Sequence, residues 1–306
     1  MKKLLPSSSF MMFVVLLIVC LAGCVGLTKA QQNGVSGFGK AAAALGTVSK
    51  EQFQGGRETV IQMKEKQLAI EKKVLSAKQA DRASCEEELN LDSGLDQENI
   101  ASRVKAADLL VQYGNLLAAF VDNTQGKDLA SATNAFTDSV KDFPGNTLTS
   151  DELKGLGQLI IMAGEKWISN EKKDALKKII PQVSPLISKV CDSLQKDFDW
   201  NRKGILADIF NTQDRLASAA IDGLKREGGS INDRLLLIES FELANKNKLA
   251  VETSSAKLLK AIESLRKADK NLAAIINDDN NFSTGDIDSF VEDVNALVKA
   301  IKPFLK

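Results

Sequence analysis

Seven apolar residues, Leu176, Ile180, Val183, Ile187, Val190, Leu194 and Phe198, follow one another at intervals of four or three. A helix of 3.6 residues per turn stacks such positions on one side, whereas a strand, with its period of two, scatters them over both faces. The pattern recurs along the chain. Ile100, Val104, Ala107, Val111, Leu117 and Val121 mark one helical face, widened by Leu110 and Phe120; Leu129, Ala132, Phe136, Val140 and Phe143 mark another. Further faces hold Leu153, Leu156, Ile160, Ala163 and Trp167, then Ile205, Ile209, Leu216 and Ala220, then Leu235, Ile238 and Phe241. Leu258, Ile262, Leu265, Leu272 and Ile276 continue the last of these, and Ile287, Phe290, Val294, Leu297, Ile301 and Leu305 form a closing stripe. Five prolines and few aromatic residues besides Phe agree with helix over strand.

Local signals divide the pattern into elements. A first helix is expected over residues 50–89, weakened near its start by Gly55-Gly56 and ended by Asn90-Leu91-Asp92-Ser93-Gly94. Pro144-Gly145-Asn146 stops a helix, and Thr149 with Glu152 has the capping-box spacing that starts the next. Asn170 marks a break or restart. Pro181 and Pro185 each remove an amide donor, which predicts a kink or a restart. The face beyond Phe198 continues to a stop at Gly228-Gly229, after which Ser230 caps a long helix whose polar middle predicts a bend. Ser283 with Asp286 caps the last helix, whose late Lys299 and Lys302 suit the negative end of its dipole. Short connections make neighbouring helices antiparallel, and stripes of about three apolar residues per two turns favour a multi-helix core over a two-stranded coiled coil. The fold class expected is all-α: an elongated antiparallel helical bundle, with no fixed-period repeat to suggest a solenoid.

The N-terminal region carries the most specific signal. Lys2 and Lys3, an apolar run over residues 10–19, and Leu21-Ala22-Gly23-Cys24 together resemble the lipobox that ends the signal peptide of a bacterial lipoprotein. The resemblance implies removal of residues 1–23, a diacylglycerol on the Cys24 thiol and acylation of its new amino group. Two or more acyl chains hold a protein to a bilayer durably. Val25, rather than Asp, after the cysteine implies export to the outer membrane, facing the periplasm. An uncleaved transmembrane anchor is the competing reading, because residues 7–28 contain no charge and are long enough to span a hydrocarbon core. Either way the remainder lies outside the cytoplasm. Residues 24–47, punctuated by Gly26, Gly34, Gly37, Gly39 and Gly46, are expected to be a lipidated flexible tether, and residues 48–306 an all-helical domain.

Charge and residue types narrow the chemistry. Forty basic and forty acidic residues cancel, and loss of Lys2 and Lys3 leaves 38 against 40, so no nucleic-acid partner is expected. There is no histidine, which excludes histidine-dependent triads and zinc-protease motifs. Once Cys20 leaves with the peptide and Cys24 is lipidated, only Cys85 and Cys191 remain, too few for a Cys-type metal site. In an oxidising compartment these two could form a disulfide, whose loop of ~105 residues would contribute about 4–5 kcal/mol in the chain-entropy model; two separate thiols are the alternative. No metal or other cofactor is expected.

Three weaker patterns fall short. Gly34 to Ala41 approaches a phosphate-binding loop, but Ala41 replaces the magnesium ligand and no strand precedes it. Ser-x-x-Lys occurs five times, at Ser102, Ser169, Ser193, Ser254 and Ser264, without the Lys-Thr-Gly that accompanies it in acyl-enzyme hydrolases. Asn277, Asp279, Asn281 and Asp288 have calcium-loop spacing, but Phe282 stands where that loop needs glycine. The expectation is a membrane-anchored envelope lipoprotein, a non-enzymatic structural or protein-interaction module with an envelope protein as partner. The alternatives are a helical carrier of a lipid or hydrophobic small ligand, and an enzyme working through carboxylates alone.

Overall fold

The computed structural model of the 306-residue chain describes residues 26–71, 91, 95–121, 126–165, 169–201, 204–226, 229–278 and 283–301. Among them are eight helices and no strand: α1 (Lys29–Ile70), α2 (Gln97–Val121), α3 (Gly126–Asp142), α4 (Ser150–Glu165), α5 (Ser169–Phe198), α6 (Ile205–Leu224), α7 (Ile231–Asn277) and α8 (Gly285–Ile301). The fold is an all-α bundle, as the apolar spacing predicts.

Pairs of contacting residues give its topology. Gly39 lies against Gly114, Gly46 against Ala107 and Val111, and Lys50 bonds Asp108 at 2.6 Å, so α2 descends as α1 rises. Gln31 donates to the Ile275 carbonyl at 2.7 Å, Asn247 to the Met63 sulfur at 3.3 Å, and Lys66 pairs with Glu239 at 3.8 Å, which sets α7 antiparallel to α1. Ser184 with Asp269, Asp192 with Arg266, and the Phe198 carbonyl with Ser255 place α5 antiparallel to α7. α7 has 47 residues, a length of ~70 Å at 1.5 Å per residue. Phe38, Tyr113, Phe136 and Phe290 form one aromatic cluster joining α1, α2, α3 and α8, and Phe53 stacks on Phe198 at 4.9 Å to join α1 and α5. α2 is apolar and long enough to cross a membrane, yet Leu109, Leu110, Tyr113, Leu116 and Leu117 on it are buried inside the bundle.

The segment expected as a flexible tether is the largest departure. From Lys29 onward it is the first half of α1, opened by a capping box in which Thr28 accepts from the Gln31 amide and the Gln31 side chain accepts from the Thr28 amide. Its glycines serve close packing. A Cβ at Gly39 would stand 2.6 Å from the Gly114 carbonyl oxygen, and one at Gly46 would stand 2.7 Å from the Ala107 oxygen. α1 and α2 therefore approach more closely than side chains would allow, and Val35, Phe38 and Leu45 are buried between them and their neighbours.

Smaller departures have equally local causes. α5 runs unbroken through Pro181 and Pro185, so neither restarts the chain. Both prolines are exposed, and Ile180, Val183 and Ile187 on the other side are buried and hold the helix in place. The face beyond Phe198 does not continue directly into Ile205; the helix ends there, Asp199 accepts from the Asn201 amide, and α6 begins after Gly204. α7 crosses its polar middle as one helix. α8 starts at Gly285, so Thr284 precedes it: Ser283 accepts from the Gly285 amide and Thr284 bonds Asp288, in place of the expected Ser283–Asp286 box. The capping boxes at Thr149–Glu152 and Ser230–Asp233 are formed.

Candidate functional site

A groove of about 610 Å³ lies where α1, α6 and α7 diverge. Two adjacent glycines open it. Gly56 lets Ile205 and Ile209 come within 3.0 and 3.1 Å of where its Cβ would be, so α6 begins tight against α1; Gly55 faces open space. Each glycine costs a helix interior about 1 kcal/mol relative to alanine. At Gly56 close packing offsets that cost, whereas nothing within the bundle does so at Gly55. Leu206, Ile209, Leu243 and Val251 contribute apolar surface to the groove. Its rim is polar: Glu51, Gln54, Glu58 and Gln62 on α1 face Lys246 and Asn247 on α7. The arrangement suits an amphipathic segment that buries an apolar side and meets acidic and carboxamide groups on one flank.

A smaller cavity of about 330 Å³ lies between α2, α5 and the turn after α3, lined by Ser102, Arg103, Ala106, Phe143, Pro144, Gly145, Lys189 and Ser193. Arg103 is the anchor of this region. Its Nε lies 2.9 Å from Asp197, which is buried, and Asp208 stands near enough to feel the charges of both. Burial raises the carboxyl pKa of Asp197 and of Asp208, and Arg103 opposes it in each case. Two acids converge here, the feature a carboxylate-only hydrolase requires, but neither lines the large groove and the guanidinium occupies Asp197.

The interior holds one more polar group of note. Asp269 of α7 is 4% exposed, accepts from Ser184 of α5 at 2.5 Å through Oδ2, and has no partner for Oδ1 among the described residues. Burial pushes its pKa up to about 6, against the pull of the Ser184 bond. The Tyr113 hydroxyl is also buried without a partner, and its pKa is raised by burial first and by the Asp269 charge second. Sequence reading passed over Asp269, although a signal was present. Leu258, Ile262, Leu265, Asp269, Leu272 and Ile276 keep the four-three spacing without a gap, so a charge occupies a core position.

Among the described residues, those singled out by sequence do not come together in one site. Cys24 and Cys85 lie outside the described residues. Cys191 is buried in the core with no disulfide partner among the described residues, and burial chiefly pushes its thiol up to about 12. The phosphate-loop-like stretch from Gly34 to Ala41 is helical and packed, with Gly34 and Gly37 against Ile287 and Val291. Ser264 donates to Asp293 while Lys267 pairs with Glu263, so that Ser-x-x-Lys pair makes no catalytic couple. Asn277 donates to its own helix at Ala273 and Asp288 bonds Thr284; Asp279 and Asn281 lie outside the described residues. Among the described residues no three acidic or Cys side chains gather as a metal site.

No protein-family model matches the chain, and comparison with curated proteins and with solved structures finds no match.

Proposed function

We propose that this protein is a lipid-anchored, non-enzymatic interaction module of the cell envelope, held to the membrane through Cys24 and displaying its helical bundle outside the cytoplasm. The observation that carries the reading is the position of Leu21-Ala22-Gly23-Cys24 relative to the fold: the cysteine stands only four residues before Thr28, which caps α1. Four residues reach at most about 14 Å. On this reading the anchor leads into the bundle within that reach, so that the start of α1 lies near the lipid surface. Val25 in place of Asp supports the outer membrane over the inner.

Two surface features support a protein partner. The groove level with residues 51–62 stands about 35–50 Å along α1 from its cap. Ile221 and Leu224 at the end of α6, with Ile231, Leu235 and Ile238 at the start of α7, leave apolar side chains exposed at the end of the bundle remote from Cys24. The carrier reading has less support, because the groove is open and polar-rimmed and the interior is packed with Leu, Ile and Phe side chains. Metabolic labelling with a radioactive fatty acid tests the anchor: label and membrane fractionation are expected in the wild type and lost in Cys24→Ser. An unlabelled wild type, or label retained by the variant, overturns the proposal.

A further inference from the structure

Asp269 occupies a position that the spacing of α7 reserves for an apolar residue, between Leu265 and Leu272, both fully buried. A carboxylate taken out of water is strongly disfavoured unless a cation faces it. Among the described residues none does. From α5 it meets the Ser184 hydroxyl, with Cys191 also within its field. From α2 comes the neutral Tyr113, walled by Phe38 of α1 and Phe136 of α3. Arg266, one turn earlier on α7, is committed to Asp192 and Gln195. α1, α6 and α8 set no charge against Asp269, whose state is governed by burial and Ser184 alone.

Ser184 itself sits on α5 between two prolines. Pro181 and Pro185 flank it, and each lacks the amide that would bond the carbonyl four residues earlier, at Lys177 and at Pro181. The α5 segment that touches Asp269 thus lacks two amide donors of the helical ladder. We propose that Asp269 and Ser184 form a proton-controlled latch between α7 and α5, closed while Asp269 is a neutral carboxylic acid and released at the Pro181–Pro185 turn when it ionises. On release the proton passes to solvent and the carboxylate gains water through the opened turn. No covalent bond changes. The latch is a property of the bundle and stands or falls independently of lipidation.

Amide hydrogen exchange read by mass spectrometry tests it, comparing the full chain with Asp269→Asn across about pH 4 to pH 7 after correction for intrinsic exchange. The elevated carboxyl pKa bounds the effect: in the wild type the opening constant of the α5 segment around Ser184 rises by up to about a hundredfold as pH increases, and in Asp269→Asn it stays flat. Equal pH dependence in both, or none in either, overturns the latch. Should the variant not fold, carbon-13 NMR of the wild type with the Asp269 carboxyl assigned decides: Asp269 titrating near pH 6 supports the proposal, and Asp269 titrating in the ordinary range near 4 overturns it.

Discussion

Buried charge is where single residues matter most in this bundle. Arg103 and Asp197 show the paired case: the carboxylate is 6% exposed, and the guanidinium compensates it with a smaller pull from Lys196. Arg103→Ala leaves that charge stranded, and a loss of about 3 kcal/mol is expected in chemical denaturation. Arg103→Lys should recover only part of it, because a point charge replaces a planar fork. Asp269 shows the unpaired case, with the opposite sign. Its carboxyl is raised from 3.8 to about 6 in the folded chain, so between those values the fold retains a proton that the unfolded chain has released. Stability is therefore full below about pH 4 and falls as pH rises through 6, by a total of roughly 3 kcal/mol. Asp269→Asn should remove that slope and be the more stable protein at neutral pH, a comparison that thermal melts at several pH values will decide.

At the scale of elements, a glycine has two meanings that a single sequence does not separate. Gly39 and Gly55 lie on the same helix, yet one abuts the α2 backbone and the other faces open space. Gly39→Ala is expected to cost about 1–3 kcal/mol by forcing α1 and α2 apart, whereas Gly55→Ala should gain up to about 1 kcal/mol from helix propensity. A flexible tether would tolerate the first substitution without change, so the pair of denaturation curves separates the two accounts of residues 29–47. Helix identity and most stops were legible in sequence because caps and periodicity are local: Thr149 with Glu152, Ser230, and Pro144-Gly145 each act within one turn. The fate of the early glycines depended on Gly114 and Ala107, some seventy residues away, and no local signal encodes that. The groove was illegible for the same reason, since Gly55, Leu206 and Leu243 belong to three different helices. Pro181 and Pro185 did not restart the chain, because a helix exposed on the proline side stays continuous when its opposite face is packed.

As a whole the molecule is a rod organised on the antiparallel pair α1 and α7. Gln31 ties the start of α1 to Ile275 and Asp278 at the end of α7, and the exposed Ile231 lies at the other end, ~70 Å away along α7. On the proposed attachment at Cys24 the tied end would lie toward the bilayer, the α1–α6–α7 groove partway along, and the apolar α6–α7 end farthest from the lipid. Because α1 begins at Lys29 rather than near residue 48, the proposed attachment would leave few residues between lipid and bundle. All of this hangs on the chemistry of one cysteine. Mass spectrometry of the N-terminal peptide, taken from the protein isolated from native membranes, tests it most directly: the account predicts a chain that begins at Cys24 with a diacylglyceryl thioether and an acylated amino group, and a peptide that still carries residues 1–23, or a bare Cys24 thiol, would contradict it.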